Sequence, residues 1–462
     1  MRAVPPATGD PVRRPLPAAL AVATAGALTL SGCAGAGAIN AGGEDPLVVA
    51  IVANPQMQDA IALQSHFEAE HPGIEVNFVT LPENEARAKI TTSVATEGGE
   101  FDVVMISNYE TAQWAENGWL TNLQPHIDAT EGYDADDFIP TVRESLSYEG
   151  DMYSVPFYGE SSFLAYREDL FREAGLEMPE NPTWHQIAEF AAELDDDEAG
   201  VAGICLRGLP GWGEVMSPLT TVVNTFGGSW FDAEWNSGLT SPEYREAVNF
   251  YVDLVREHGQ PGAANSGYGD CLTHYSQGRA AMWYDATAMV STIEDPASST
   301  VAGLSGYAPA PVVQTDRSGW LYVWSLAIPA TTEDPERAWE FVEWVTDRDY
   351  IETVGEEFGW ERVPPGSRIS TFENPRYQEV AQAYAQPMRE AIETADSDNA
   401  TLHPVPYEGI GFVAIPEFQD LGTRVSQQIS AAIAGRIDVD EALEQSDDYA
   451  RSVGETYQRE EQ

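Results

Sequence analysis

The sequence predicts an α/β protein built on a parallel sheet with crossover helices. Two observations carry this reading. Strand-like and helix-like segments alternate in a βαβαβ rhythm over residues 47–106. About 415 residues then make up the body of the chain, enough for two domains with sizeable cores. Further strand and helix patterns run to the end, with no internal repeat.

Each element has a local reason. Leu47–Ala53 (LVVAIVA) is a short apolar run rich in β-branched residues, as a buried strand requires. Met57, Ile61, Leu63 and Phe67 then recur at helical spacing. Ile74–Thr80 alternates as a strand, a helix is expected over 83–96, and Phe101–Ile106 is the third strand. Later strands are expected at Gly203–Leu206, Ala280–Trp283 and Leu321–Ile328. Ser241 and Pro242 open a helix whose Tyr244, Val248, Tyr251 and Val255 share a face. Beyond Pro416 the chain reads as largely helical, ending in an acidic helix after Asp438.

The first 33 residues carry Arg2, Arg13 and Arg14, then an Ala-rich apolar stretch from Leu16 to Leu30. A basic region, a short hydrophobic run and small residues before a cut describe a signal peptide. The run is too short and too rich in Ala and Gly for a ~20-residue membrane span. Leu30-Ser31-Gly32-Cys33 resembles the bacterial lipobox, which makes Cys33 the expected lipidation site. General secretion and a twin-arginine route both remain open. Residues 34–45 (AGAGAINAGGED) form an expected flexible tether.

The 75 acidic and 23 basic residues give a net charge of −52, and Lys89 is the only lysine. That sign argues against nucleic acid or anionic lipid as partner. It fits either a solubility adaptation, as for a saline habitat, or attraction of a cationic ligand. Cys205 and Cys271 either pair, as exported cysteines do, or stay as two buried thiols. Neither belongs to a CxxC or Cys/His cluster, so a thiolate metal site is not expected, and the seven His have no metal-ligand spacing.

No GxSxG, HExxH, GxxxxGK[ST] or post-strand GxGxxG motif is present. Glu110, Glu160 and Asp285 could supply a glycosidase pair, but three candidates among 75 acids say little. The chain is therefore expected not to be an enzyme. Binding a polyol asks for a different inventory. Each buried hydroxyl needs a partner, and charged partners bond most strongly. Aromatic surface covers the C–H faces. Phe157–Ser162, Leu206–Glu214 and Met282–Thr287 have that composition. In open α/β sheets ligands sit beyond the carboxyl ends of strands. That points to the loops after Ala53, Ile106, Leu206 and Trp283.

Several segments in one order carry a resemblance: Gly98–Val104, Pro156–Ser162, Gly203–Gly208, Asn224–Gly228, Met282–Thr287, Val363–Arg368 and Ile415–Gln419. Together they make the chain similar to the family 1 extracellular solute-binding proteins, above all their polyol (sorbitol/mannitol) transporter subgroup. The resemblance implies a bilobal, type II periplasmic-binding-protein-like α/β fold. Its hinge would be crossed three times, near Phe157, Asp285 and Pro364–Arg368. The N-terminal lobe would comprise 46–157 plus 285–364, and the C-terminal lobe 158–284 plus 365–462. It further implies a monomeric substrate-binding lipoprotein that captures a polyol or related sugar by lobe closure and hands it to an ABC permease. A protein that only captures its ligand implies no cofactor. Other readings are a glycoside-acting enzyme or a sensory or adhesive surface lipoprotein. By their position after strands or at the hinge, Asn54, Glu110, Glu160, Arg207, Trp212, Trp283 and Asp285 look like cleft residues, joined by Tyr158, Ser161, Trp324 and Arg368. Gly411 departs from the subgroup, which tends to carry Gln there.

Overall fold

The computed structural model describes residues 45–460. The expected signal peptide, Cys33 and all but the end of the tether lie outside the described residues. Ten strands and their connecting helices form three sheets. The strands are β1 Leu47–Val52, β2 Val76–Leu81, β3 Val103–Ser107, β4 Ser147–Tyr148 and β5 Asp151–Met152. They continue with β6 Val155–Glu160, β7 Ser162–Arg167, β8 Met282–Ala286, β9 Ser305–Pro309 and β10 Tyr322–Ala327.

The first sheet has the order β2-β1-β3-β10-β6. Its β2, β1 and β3 are parallel, as the rhythm of the first 60 body residues requires. Every β1 residue except half-buried Val48 is buried, because helices cover both faces of such a sheet. The expected parallel sheet is nonetheless mixed: β10 runs antiparallel to both β3 and β6. A second sheet, β8-β7-β9, is wholly antiparallel. β4 and β5 form a small antiparallel hairpin of their own.

Four early helices position the site: α1 Pro55–Ala62, α2 Gln64–Glu70, α3 Glu83–Ala95 and α4 Asn108–Glu116. α1 and α2 are the single helix expected from Met57 to Phe67, divided at Leu63. Asn54 caps α1, its Oδ1 accepting from the Met57 N–H at 2.8 Å, and Pro55 occupies the first turn. Ser107 and Glu110 make a capping box at the start of α4.

The chain passes from the first sheet to the second at Ser161, between β6 and β7. Ser161 and Thr287 bond reciprocally there: Thr287 N–H donates to Ser161 O at 2.8 Å, and Ser161 N–H to Thr287 Oγ1 at 3.2 Å. Beside them, Gly159 N–H donates to Pro365 O at 3.1 Å. β9 lies in the second sheet while β10 lies in the first. The segment 285–364, expected with one lobe, thus contributes a strand to each sheet.

The expected strand Gly203–Leu206 forms isolated bridges instead: Ala202 to Ala280, Ile204 to Gly259 and Cys205 to Trp283. Both backbone groups of Leu206 are satisfied by the Gln260 amide, at 3.2 and 2.7 Å, so no ladder can extend. Cys205 and Cys271 are disulfide-bonded, with Cα atoms 5.6 Å apart. This settles the alternative left open by composition. It ties the 205 segment to the helix Tyr268–Ser276.

Large side chains fill the core around the second sheet and the helices beside it. Trp184, Trp230, Trp283, Trp320, Tyr251 and Tyr284 are all less than 2 % exposed. Burying side chains of this kind contributes about 1.5–3 kcal/mol each. Among the described residues, no helix is long and apolar enough to cross a membrane.

Candidate functional site

A cavity of about 250 Å³ lies where residues from both sheets converge. This is just under the ~300–1,000 Å³ of drug-sized pockets, and so suits a small solute. Strand pairing builds one wall. On β6 and β10, Glu160 stands opposite Tyr322, and Tyr158 opposite Trp324. Side chains two residues apart on a strand point to the same face, so all four share this wall. A break in the β6/β10 register after Trp324 ends the matched set.

α3 supplies the second wall. Arg87 Nη1 donates to Glu110 Oε1 at 3.0 Å, while Nε and Nη2 reach Glu83 Oε1 at 3.1 and 3.0 Å. Its Nη2 also bonds the Tyr322 hydroxyl. The guanidinium carbon lies 4.3 Å from the Trp212 ring centroid and 4.6 Å from that of Trp324. Burial disfavours the Arg87 charge, but Tyr322, Glu83 and Glu110 more than offset it and raise its pKa.

The third wall comes from residues 207–214 and the helix that starts at Tyr268. Arg207 is held bidentately by Asp285, donates from Nη1 to Gly213 O at 2.8 Å, and lies over the Tyr268 ring. Glu214 Oε2 is 3.6 Å from Arg207 Nη1 and accepts the Tyr268 N–H at 3.1 Å. Burial raises the Glu214 carboxyl pKa, with Arg207 acting in the opposite sense. Burial likewise pushes Glu160 well above the usual carboxylate range. Arg207 opposes that shift and Asp285 reinforces it.

Six expected residues line this cavity: Asn54, Tyr158, Glu160, Arg207, Trp212 and Trp324. Asn54 does so while capping α1, and its Nδ2 donates to the Tyr158 hydroxyl at 3.3 Å. The other five stand back from it. Glu110 spends its carboxylate on Arg87, Ser107 N–H and the Ser107 hydroxyl. Asp285 is fully buried behind Arg207, and Trp283 Nε1 donates to Asp285 Oδ2 at 3.1 Å. Ser161 is a buried crossing residue whose backbone bonds Thr287.

Arg368 is placed differently from expectation. Its fully buried guanidinium donates to the carbonyls of Thr346, Asp134 and Tyr133 at 3.0, 3.1 and 3.2 Å. It also pairs with Asp137 and lies over Phe138. These bonds consume its donors in anchoring the segment after Pro365, away from the cavity.

A wider groove of about 940 Å³ runs past Asn108–Glu116 and residues 393–398. Its carboxylates, including Glu116, Glu144, Glu393, Asp396 and Glu408, are exposed to water. Groups already hydrated gain little from a ligand, whereas the smaller cavity gathers buried charges and rings that a ligand would complete.

Residues 53–352 match the family model described as bacterial extracellular solute-binding protein. The chain belongs to that family. A mannitol-binding protein of Pseudomonas aeruginosa is 42% identical over 402 residues, covering 87% of this chain and 91% of that protein. The crystal structure of an ABC transporter solute-binding protein from Agrobacterium vitis, with bound D-mannitol, has a TM-score of 0.86 and 44% identity. That match covers 90% of this chain and 98% of the other. A solute-binding protein from Agrobacterium radiobacter in complex with ribitol shares the fold, with a TM-score of 0.78 and 23% identity. It covers 89% of this chain and 99% of the other. The type II solute-binding fold is thereby established for this solute-binding protein.

Sequence reasoning missed Glu83, Arg87 and Tyr268 in the lining, while Glu214, which also lines it, lies in the Leu206–Glu214 segment already singled out. The signal for the first two was available. Leu81-Pro82 ends a strand, and the rule that ligands sit beyond strand ends applies to that loop as to the others. Tyr268 lies 54 residues from Glu214, and nothing local announces their contact. Gly411 lines the cavity too, and a Cβ there would stand 3.3 Å from Ser217 Oγ.

Proposed function

We propose that this solute-binding protein captures an acyclic polyol, of the mannitol or sorbitol kind, and delivers it to an ABC permease. One observation carries the reading. A small cavity has two guanidiniums held in place by carboxylates, further buried carboxyls, and the rings of Trp212, Trp324, Tyr158 and Tyr268 around it. Held charges offer fixed partners to several neighbouring hydroxyls, and the rings exclude water from the C–H faces. The mannitol-binding relatives support the same ligand class.

Capture works by closure. The site residues of the first sheet and α3 belong to one lobe, and 207–214 with Tyr268 to the other. The lobe centres are the two sheets, with β9 counted in the second. Asn84 Nδ2 donating to Pro210 O at 3.1 Å joins the two sides. Tyr109 does so too, its hydroxyl donating to Ile415 O at 3.0 Å. Ligand favours this arrangement because it is bonded from both sides only when the lobes meet. The leader directs export and is removed, and lipid on Cys33 anchors the protein to the outer face of the membrane, with residues 34–45 between the anchor and the lobes.

A thermal-shift screen of the purified protein against mannitol, sorbitol, ribitol, maltose and a glycoside tests this. A ligand at 100 times its Kd stabilises by about 2.7 kcal/mol, which such a screen detects. Shifts with mannitol or sorbitol are expected. A shift only with maltose, or turnover of the glycoside, would remove the polyol reading.

A further inference from the structure

The cavity has more acid than base. Glu83, Glu110, Glu160, Glu214 and Asp285 surround only two guanidiniums, Arg87 and Arg207. Arg87 is bonded by Glu83 and Glu110. Arg207 is bonded by Asp285 through both oxygens and approached by Glu214 at 3.6 Å. Glu160 is 7 % exposed and faces the cavity, and its carboxyl has no hydrogen-bonding partner among the described residues.

Every element packed around Glu160 adds to the same picture. α3 presents Glu83 and Arg87, the 207–214 segment Arg207 and Glu214, and β8 presents Asp285. β6, β10 and the Tyr268 helix present only the phenols Tyr158, Tyr322 and Tyr268. Both guanidiniums are already committed, and an uncharged polyol brings no cation of its own. An ionised carboxylate this buried without a partner is too costly to persist, and such groups take up a proton instead.

We propose that Glu160 meets the polyol as a neutral carboxylic acid, donating a hydrogen bond to a ligand oxygen, so that affinity falls as pH rises. This inference rests on the polyol reading above. A neutral acid is both donor and acceptor, whereas an ionised carboxylate only accepts. Glu160 then decides specificity. It gives the site a donor beside acceptors, a pattern that one hydroxyl of a vicinal pair satisfies from each side.

Calorimetric titration with D-mannitol from pH 6 to 9, in buffers of low and high ionisation enthalpy, tests the assignment. For the wild type, Kd should rise about tenfold per pH unit once Glu160 ionises in the free protein, with net proton uptake on binding. Glu160→Gln keeps a donor and an acceptor but cannot ionise, so its profile should flatten. A residual slope in that variant would assign the proton to Glu214 and overturn the proposal. So would a flat wild-type profile without proton uptake. Affinity that rises with pH, or D-glucamine binding more tightly than mannitol, would show a charged Glu160 seeking a cation and overturn it too. Should Glu160→Gln fail to fold, Glu214→Gln decides: a pH slope and proton uptake like the wild type's support Glu160, and a flattened profile overturns the proposal. Mannitol binding with a flat profile removes only this inference, while no mannitol binding at any pH removes the polyol reading with it.

Discussion

Asp285 holds Arg207 by both carboxylate oxygens, with Oδ2 2.8 Å from Nε and Oδ1 2.5 Å from Nη2, and is itself fully buried. Asp285 therefore shapes the site without touching the cavity. Asp285→Asn removes the charge that compensates Arg207, and breaking a buried pair on one side costs about 3–5 kcal/mol. The variant should melt at a lower temperature and bind mannitol at least tenfold more weakly. Wild-type affinity and melting point would show that Arg207 needs no such support.

Gly159 and Gly366 meet backbone to backbone at the crossing between the sheets. A Cβ at 159 would stand 2.4 Å from Gly366 O, and one at 366 only 2.0 Å from Gly159 O. Gly366 also has φ +72°, in the left-handed region. Gly159→Ala should force the segments apart and cost roughly 1–3 kcal/mol, as overpacking does. Chemical denaturation checks this, and stability within error of wild type would mean the crossing has room to yield.

Acid should loosen the anchor at Arg368. Asp137 is buried, which alone would raise its pKa, but hydrogen bonds from Arg348 and Ser370 prevail and hold it below its ordinary 3.8. A depressed carboxylate stabilises fully above its unfolded value, and the contribution is lost as pH falls through the folded one. The melting temperature should therefore drop on acidification below about pH 4, and less steeply in Asp137→Asn. Parallel profiles would exclude Asp137 as a contributor.

A net charge of −52 makes the folded chain repel itself. Raising salt from 0.1 to 1 M shortens the Debye length from about 10 to 3 Å, which screens that repulsion. The melting temperature should rise with sodium chloride. A flat or falling response would mean that surface ion pairs, such as Arg376 with Glu356, outweigh it.

Much of this was legible in the sequence because it is local. The β-branched run Leu47–Val52 and the Ser241-Pro242 helix start declare themselves within a few residues. The polar loops after β1 and after Leu206 held Asn54, Arg207 and Trp212, which line the cavity. The direction of β10 was not legible, since a strand's pattern is the same in either orientation. Nor was β9, where Pro309 and Gly306 disguise a strand that β7 pairs along its full length. Arg368 misled because a buried Arg in an anchor and a cleft Arg look alike until their acceptors, here three carbonyls, are seen. Glu110 and Asp285 were chosen for the right neighbourhood, but each is used up by an arginine before a ligand arrives.

The most direct measurement is a crystal structure of the protein grown with D-mannitol. The account predicts one mannitol in the cavity, its hydroxyls within hydrogen-bonding distance of Arg207 and Glu160 and its carbon chain against Trp212 or Trp324. Mannitol in the wider groove along Asn108–Glu116, or an empty cavity at saturating ligand, would contradict it.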